Sequence, residues 1–138
     1  MSLCEKPARK LFINQCTKLV SEGLTANKHR SWTFLHKSQK YPAELIWIQG
    51  NIVNVSESQN SFMINDGTGI AVIASANKAP GYGAWITNGQ YIMVIGEVLT
   101  TESSIEVRAL KLTKLSDLNA ESLWKLEVKD FWNFLEES

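Results

Sequence analysis

The sequence contains few cysteines and histidines, and neither sign of charge is in excess. Its 138 residues include two cysteines and two histidines, and 14 basic side chains balance 14 acidic ones. Cys4 and Cys16 have no second cysteine pair or histidine pair beside them, which argues against a zinc site. No apolar run approaches the ~20 residues of a membrane helix, and the first ten residues lack the apolar core of a signal peptide. We therefore expect free thiols in a reducing compartment.

Catalytic constellations are also absent from the sequence. His29 and His36 both lie in the polar N-terminal part, and neither stands in a recognisable triad context. The glycine-rich stretches DGTG and GYG match neither a phosphate-binding loop nor a dinucleotide fingerprint. The acidic residues are scattered, with no pair spaced to place two carboxylates in one cleft. We therefore expect a protein without catalytic activity, cofactor or metal.

The net charge of zero conceals an asymmetry along the chain. Residues 1–40 contain eight basic and two acidic side chains, whereas residues 41–138 contain six basic and twelve acidic ones. Domains that bind nucleic acid usually carry a basic face. The acidic C-terminal part therefore argues against tight, autonomous nucleic-acid binding. The basic N-terminal part could still contact a phosphate backbone or an acidic segment of a partner.

From residue 44 onwards the pattern is that of β-strands. The segment ELIWIQGNIVNV reads as one long strand, and Gly50 within it indicates a bend. Two short apolar runs flank Asp66-Gly67, which is typical of a hairpin turn. YIMVIGEVL and SIEVRALKLTKL predict two further strands. Upstream, WTFLHK predicts one short strand and SQKYPAE a turn.

Five strands in this order predict a mainly β fold, a five-stranded Greek-key barrel of the OB type followed by a C-terminal α-helix. An SH3-like barrel is the alternative. We expect a single domain. It comprises a basic lead-in at residues 1–43, barrel strands at residues 44–115 and an interaction helix at residues 119–136.

The predicted C-terminal helix has an unusually wide apolar surface. At about 100° per residue, one arc close to 180° contains Leu123, Trp124, Val128, Phe131, Trp132, Phe134 and Leu135. Two residues depart from this pattern, since Glu127 falls inside the apolar arc and Leu126 falls on the polar side. Packing on the chain's own barrel requires a stripe of only about 100°, so we expect a second protein to cover part of the arc. The alternative is that the barrel covers it all. The helix residues expected at the interface are Trp124, Val128, Phe131, Trp132 and Leu135.

Two functions of different class are compatible with these features. The first is a module that binds single-stranded DNA by stacking bases on aromatic rings in a basic groove, for which the candidates are Trp47, Phe62, Tyr82 and Trp85. However, no lysine or arginine occurs between Ser56 and Asn77. The second is an architectural subunit whose helix joins another barrel. The wide apolar arc and the acidic strand region favour the second function.

Three segments, ESLWKLEVKDFW, ELIWIQGNIV and NGQYIMVIGEV, resemble the family of the small second subunit of the RecQ-mediated genome instability complex. The resemblance extends from about Lys6 to about Asp130, with a gap between Val20 and Tyr41. The layout is also similar to that of the middle subunit of replication protein A, whose terminal helix joins an intersubunit bundle.

The resemblance implies a non-catalytic, nuclear OB-fold subunit that binds the C-terminal OB domain of the larger RecQ-mediated genome instability subunit. That pair would join a Bloom-type RecQ helicase and topoisomerase III alpha in an assembly that dissolves double Holliday junctions. It would thereby act in DNA repair, DNA replication and genome stability. A docking surface for a peptide of a Fanconi anaemia helicase is also implied.

The resemblance assigns roles to four residues of this chain. Trp124 matches the contact tryptophan of the family's helix and is expected to anchor the subunit interface. Trp47 matches the tryptophan of the W-QG block, Lys10 a lysine of the first strand and Lys111 a lysine of the last strand. These three are expected to face a partner. Core packing for Trp47 and a solvated surface for the two lysines are the alternatives.

Overall fold

A computed structural model of the chain describes the backbone of residues 8–24, 30–58 and 60–137, and the side chains of residues 8–23, 31–58 and 60–132. In chain order the elements are β1 (Ala8–Lys10), α1 (Ile13–Cys16), β2 (Val20–Leu24), β3 (Arg30–His36), β4 (Gln39–Pro42), β5 (Leu45–Val55), β6 (Phe62–Asn65), β7 (Ile70–Ala74), a short 3-10 helix (Ala76–Lys78), β8 (Tyr91–Thr100), β9 (Ile105–Lys114) and α2 (Ala120–Glu137).

Strands β5 to β9 close into a barrel. The N-terminal half of β5 is antiparallel to β8, and its C-terminal half is antiparallel to β6. β6 continues antiparallel to β7, β7 pairs in parallel with β9, and β9 returns antiparallel to β8. This strand order is that of the OB fold. The predicted fold class, a mainly β OB-type barrel with a C-terminal helix, is confirmed.

The glycine at position 50 of β5 has a steric reason. A Cβ atom added at Gly50 would lie 2.8 Å from the backbone oxygen of Asn65, closer than a carbon atom can approach. The register with β6 then shifts between Ile52 and Asn54. One long strand can therefore pair with β8 along one half and with β6 along the other, as the glycine in the sequence indicates.

The barrel interior is filled by aliphatic side chains from alternating strand positions. These include Ile46, Ile48, Ile52, Ile64, Ile73, Ile92, Val94, Val98 and Val107, all almost fully buried. At intervening positions Trp47 and Ile95 are half-buried, whereas Leu45 and Met93 are buried, so parts of the outer face of β5 and β8 are covered as well.

The lead-in contains more sheet than the sequence predicts. β2, β3 and β4 form a separate three-stranded antiparallel sheet, called the accessory sheet below. The segment SQKYPAE was expected to be a turn, whereas Gln39–Pro42 within it is strand β4. The reversal occurs at Lys37 and Ser38, whose φ angles are 48° and 71°. Such tight hairpin turns favour Asn-Gly or Asp-Gly, so Lys-Ser carries no recognisable turn signal.

The accessory sheet is attached to the barrel by two aromatic residues of β3. Trp32 is buried, and its indole Nε1 donates a hydrogen bond to the backbone oxygen of Val98 at 3.0 Å. Phe34 is also buried, and its ring lies 4.7 Å from that of Trp132 in α2. The sequence places both residues on one strand face, and that face becomes part of the core.

Helix α1 is tied to the β6–β7 turn through Asp66. One carboxylate oxygen of Asp66 accepts a hydrogen bond from the backbone nitrogen of Ile13 at 2.8 Å. The other accepts hydrogen bonds from the backbone nitrogen and hydroxyl of Thr68 and from the backbone nitrogen of Gly69. The DGTG segment is therefore a structural turn that connects the lead-in to the barrel.

The thiol of Cys16 provides a test of this packing. Burial and the nearby carboxylate of Asp66 raise its pKa from an ordinary 9.0 to about 12. Because the folded-state pKa is the higher one, the thiol's contribution to stability is fully present below pH 9.0 and is lost as the pH rises towards about 12.

We therefore expect Cys16 to resist alkylation by iodoacetamide at about pH 8, because the reactive thiolate is almost unpopulated in the folded chain. Mass spectrometry of a Cys4→Ser variant would follow this single thiol. The same variant in denaturing urea is the control and should react fully. Rapid alkylation under native conditions would show that Cys16 is not buried as described.

Candidate protein-interaction site

Helix α2 packs on its own chain through a narrow stripe. Trp124, Val128 and Trp132, four positions apart, are 2%, 1% and 4% exposed. Phe131 is half-buried against the same core, whereas Leu135 and Phe134 lie outside the described side chains.

Much of the predicted apolar arc is thus covered by the chain itself. Trp124, Val128 and Trp132 are covered within the chain, so the surface left for a second protein is smaller than the predicted arc. The reason is that β1 and the accessory sheet add packing surface beside the barrel. Whether these helix residues also contribute to binding a partner stays a prediction.

Trp132 joins α2 to the lead-in. Its indole Nε1 donates a hydrogen bond to the backbone oxygen of Lys10 at 2.8 Å. Its ring centroid lies 5.0 Å from that of His36 and 5.6 Å from that of Tyr41, besides its contact with Phe34. One helix residue therefore contacts β1, β3 and β4 together. The aromatic residues of WTFLHK were a signal that this segment packs, but its contact with α2 is not visible in the sequence.

Three of the residues singled out by resemblance lie together beside α2. The rings of Trp47 and Trp124 are stacked, with centroids 5.9 Å apart and planes inclined by 22°. The Lys10 ammonium lies 4.7 Å from the centroid of the Trp47 ring, which is a cation–π distance. The same ammonium lies 3.8 Å from a carboxylate oxygen of Glu127. Glu127, which interrupts the predicted apolar arc, therefore pairs with the lead-in.

The indole nitrogens of this pair are unusual. The Nε1 atoms of Trp47 and Trp124 are both buried, and neither donates a hydrogen bond to any acceptor in the part of the chain that the structure describes. An unsatisfied buried donor costs about 1–3 kcal/mol. An added acceptor, from water or from a partner, would relieve this cost.

The strand register places Lys111 in line with this cluster. Lys10 on β1 lies opposite Trp47 on β5. Trp47 in turn lies opposite Ile95 on β8, and Ile95 lies opposite Lys111 on β9. Residues directly opposite each other on paired strands share a face of the sheet. Lys10, Trp47, Ile95 and Lys111 therefore form one transverse row, called the β1–β9 row below. Sequence reasoning missed Ile95, because nothing in a single strand reveals its neighbours across the sheet.

The exposed apolar side chains of the C-terminal region are leucines rather than tryptophans. Leu118, Leu123 and Leu126 are 98%, 49% and 59% exposed. Leu123 and Leu126 are three positions apart and therefore neighbours on the helix surface, and Leu118 precedes the helix. These three residues are called the leucine surface below. The sequence pattern assigns Leu126 to the polar side of the helix, so its place in an exposed apolar surface was not predicted.

The aromatic residues proposed to stack nucleotide bases are not arranged as a platform. Phe62 points into the core and is buried. The ring of Trp47 already contacts Trp124 and Lys10. Tyr82 and Trp85 are half-buried in the irregular connection before β8, where the Trp85 indole donates to the backbone oxygen of Gly81 at 3.0 Å.

The outer face of β6 and β7 is apolar and has no basic side chains. Met63 and Ile70 are exposed on it, and neither strand contains a lysine or arginine. A positively charged groove for a single strand is therefore not formed on these two strands.

The described part of the chain has neither a membrane-spanning helix nor a cluster of metal-binding side chains. None of the helices described is long and apolar enough to cross a bilayer. No group of three or more His, Cys, Asp or Glu side chains among these residues is placed to hold a metal ion. His36 lies within the aromatic cluster around Trp132, and His29 and Cys4 lie outside the described residues.

Solved structures with a similar fold come from complexes of OB-fold proteins. A chain of the crystal structure of the S. pombe Stn1–Ten1 complex superposes with a TM-score of 0.69 at 16% identity, covering 96% of this chain and 96% of that chain. A chain of a replication protein A heterotrimer bound to single-stranded DNA superposes with a TM-score of 0.64 at 15% identity, covering 91% of this chain and 94% of that chain. At these identities the likeness shows the fold alone.

Sequence comparison gives a more specific result. Residues 7–132 match the profile of the family described as RecQ-mediated genome instability protein 2. The protein of that name from Gallus gallus is 30% identical over 87 residues, which cover 62% of this chain and 64% of the relative. The protein of that name from Mus musculus is 32% identical over 92 residues, which cover 64% of this chain and 60% of the relative. The aligned region thus spans less than two thirds of either relative. Because the family profile matches nearly the whole chain, the chain belongs to the RecQ-mediated genome instability protein 2 family.

Proposed function

We propose that the chain is a non-catalytic OB-fold scaffold subunit that pairs with the larger RecQ-mediated genome instability subunit. In this role it stabilises a nuclear RecQ helicase–topoisomerase III complex that dissolves double Holliday junctions during DNA repair. The observation that carries the proposal is the family match over residues 7–132. The exposed leucine surface on the C-terminal helix supports a pairing role.

The leucine surface is the part of α2 best placed for subunit pairing. Large exposed apolar side chains grouped on a small domain are typical of protein interfaces. Trp124, Val128 and Trp132 hold the opposite side of the helix against the barrel and the lead-in. In this proposal they orient the helix, while Leu123 and Leu126 contact the C-terminal OB domain of the larger subunit. Phe131, which is half-buried, and Leu135, which lies outside the described side chains, stay predicted members of the pairing surface.

The β1–β9 row is proposed as the docking surface for the Fanconi anaemia helicase peptide. In this row Trp47 and Ile95 lie between two lysines, one on β1 and one on β9. Half-buried apolar side chains between cationic groups suit a peptide with both apolar and acidic side chains. Lys111 is exposed, whereas the Lys10 ammonium already contacts Glu127. Lys111 is therefore the more available charge.

The pairing surface can be tested with a double substitution. Leu123→Glu with Leu126→Glu should weaken binding to the C-terminal OB domain of the larger subunit by more than about 2 kcal/mol, because two charges would be buried in an apolar contact. Isothermal titration with purified components measures this change. The matched control is Ser122→Glu with Lys129→Glu, which alters two exposed positions on α2 and should bind nearly as the original chain does.

Both double variants should retain their melting temperature, because the substituted side chains are exposed in the isolated chain. Undiminished affinity of the leucine variant for the larger subunit would remove the leucine surface from the proposal. Tight binding of single-stranded DNA by the unmodified chain alone would instead favour the single-strand-binding function.

Trp124→Ala should primarily affect folding. The substitution removes a buried indole and the stacking partner of Trp47, so it should lower the free energy of unfolding by about 3 kcal/mol or more. Urea denaturation followed by circular dichroism measures this change. Leu126→Ala on the exposed side of the same helix is the control and should change it by less than about 1 kcal/mol. A loss below 1 kcal/mol for Trp124→Ala would contradict its core position.

Lys111→Glu should separate peptide docking from subunit pairing. The reversed charge should weaken binding of the acidic helicase peptide about tenfold, while affinity for the larger subunit stays within a factor of about two. Fluorescence anisotropy with a labelled peptide and the assembled pair measures the first value. Lys114→Glu, at the end of the same strand, is the control for a general charge effect. An equal loss in both variants would show that Lys111 has no specific role.

A further inference from the structure

A cleft with a volume of about 300 Å³ lies between the accessory sheet and the end of β8. Its lining residues are Leu19, Ser21, Trp32, Leu99, Thr100, Thr101 and Glu102. It is called the β8 cleft below. None of its lining residues belongs to α2 or to the β1–β9 row, so it is distinct from both surfaces proposed above.

The walls of the β8 cleft combine aliphatic and hydrogen-bond-accepting groups. Leu19 and Leu99 provide aliphatic surface, and the Trp32 indole is held in place by its hydrogen bond to the Val98 oxygen. The polar side chains are the hydroxyls of one serine and two threonines and the carboxylate of Glu102. Among the lining residues that the structure describes there is no lysine, arginine or histidine, and Glu102 is the one ionisable group.

Glu102 is presented at the cleft by the β8–β9 turn. Its backbone nitrogen donates a hydrogen bond to the hydroxyl of Thr100 at 3.2 Å, which fixes the turn. Its own side chain is exposed and forms no ion pair with any residue that the structure describes. The charge at the cleft is therefore negative and not neutralised within the described chain.

We propose that the β8 cleft binds a basic side chain, arginine or lysine, of a partner polypeptide. The methylene groups of such a side chain would pack on Leu19 and Leu99, and its charged head would donate hydrogen bonds to Glu102 and to the Thr101 hydroxyl. Long basic side chains bury their stems on apolar surface while the head stays polar. Charge-assisted hydrogen bonds to a carboxylate are the stronger kind.

The size and charge of the cleft exclude other occupants. Its volume equals that of about ten waters and lies at the lower end for ligand pockets, so it suits one long side chain rather than a large cofactor. An anion would meet the Glu102 carboxylate without a cationic partner among the described lining residues. A purely apolar side chain would remove water from that carboxylate without replacing its hydrogen bonds.

The test uses the complete chain, labelled with ¹⁵N, and N-acetyl-arginine amide as the probe. The Trp32 indole N–H resonance should shift in a saturable manner as the probe is added. N-acetyl-lysine amide tests the second basic head, and saturation by either probe or both supports the proposal. N-acetyl-citrulline amide, the uncharged isostere of arginine, should cause no saturable shift, because Glu102 requires a positive charge.

Glu102→Gln should weaken binding of the arginine probe about fivefold or more by removing the charge pair. Glu106→Gln, an acidic position on β9 outside the cleft lining, is the matched control and should bind as the original chain does. The dispersion of the amide spectrum reports that each variant is folded.

Three results would overturn the proposal. One is the absence of a saturable shift with either basic probe up to about 20 mM, a range that includes the weak affinities expected of small ligands. The others are an equal response to the citrulline probe and an unchanged affinity in Glu102→Gln. Since the readout involves neither the larger subunit nor α2, failure here leaves the proposed pairing function unaffected.

Discussion

The attachment of α2 to the first strand holds the N-terminal and C-terminal parts of the chain together. β1 is only three residues long and pairs with a single half-strand of β5, and such short pairings are marginal by themselves. The Trp132 indole donates a hydrogen bond to the Lys10 oxygen, and Glu127 lies within ion-pair distance of the Lys10 ammonium. One strand residue is thus held by two residues of the helix, one at its backbone and one at its side chain.

The same attachment determines which surfaces remain for partners. Because Trp124, Val128 and Trp132 are used within the chain, the exposed large apolar side chains between residues 115 and 132 are Leu118, Leu123 and Leu126. The helix therefore has two sides of different character, an aromatic side that completes the fold and an aliphatic side that is open. The pairing role proposed above requires this division, since the chain must be folded before it can present a surface to another subunit.

The barrel could be predicted from the sequence in some detail. Alternating strand patterns, the glycine within β5 and the Asp-Gly turn are local signals, and each corresponds to a local backbone requirement in the structure. Strand β4 was missed because the turn before it is made by Lys37 and Ser38. Both adopt positive φ angles, which glycine, asparagine or aspartate usually adopt in such turns. The surplus of apolar helix surface was overestimated for a related reason. The accessory sheet, which supplies Phe34 as a contact of Trp132, was itself underestimated.

By itself, the sequence determined the OB-type barrel, the C-terminal helix and the family to which the chain is similar, because these depend on periodicity, turn chemistry and short motifs along the chain. Only the tertiary structure decided which faces of those elements remain open. It assigned the tryptophans of α2 to the interior and Leu126 to the surface, and it aligned Lys10, Trp47, Ile95 and Lys111 across four strands. Burial and cross-strand register are set by contacts between distant segments, and no local pattern encodes them.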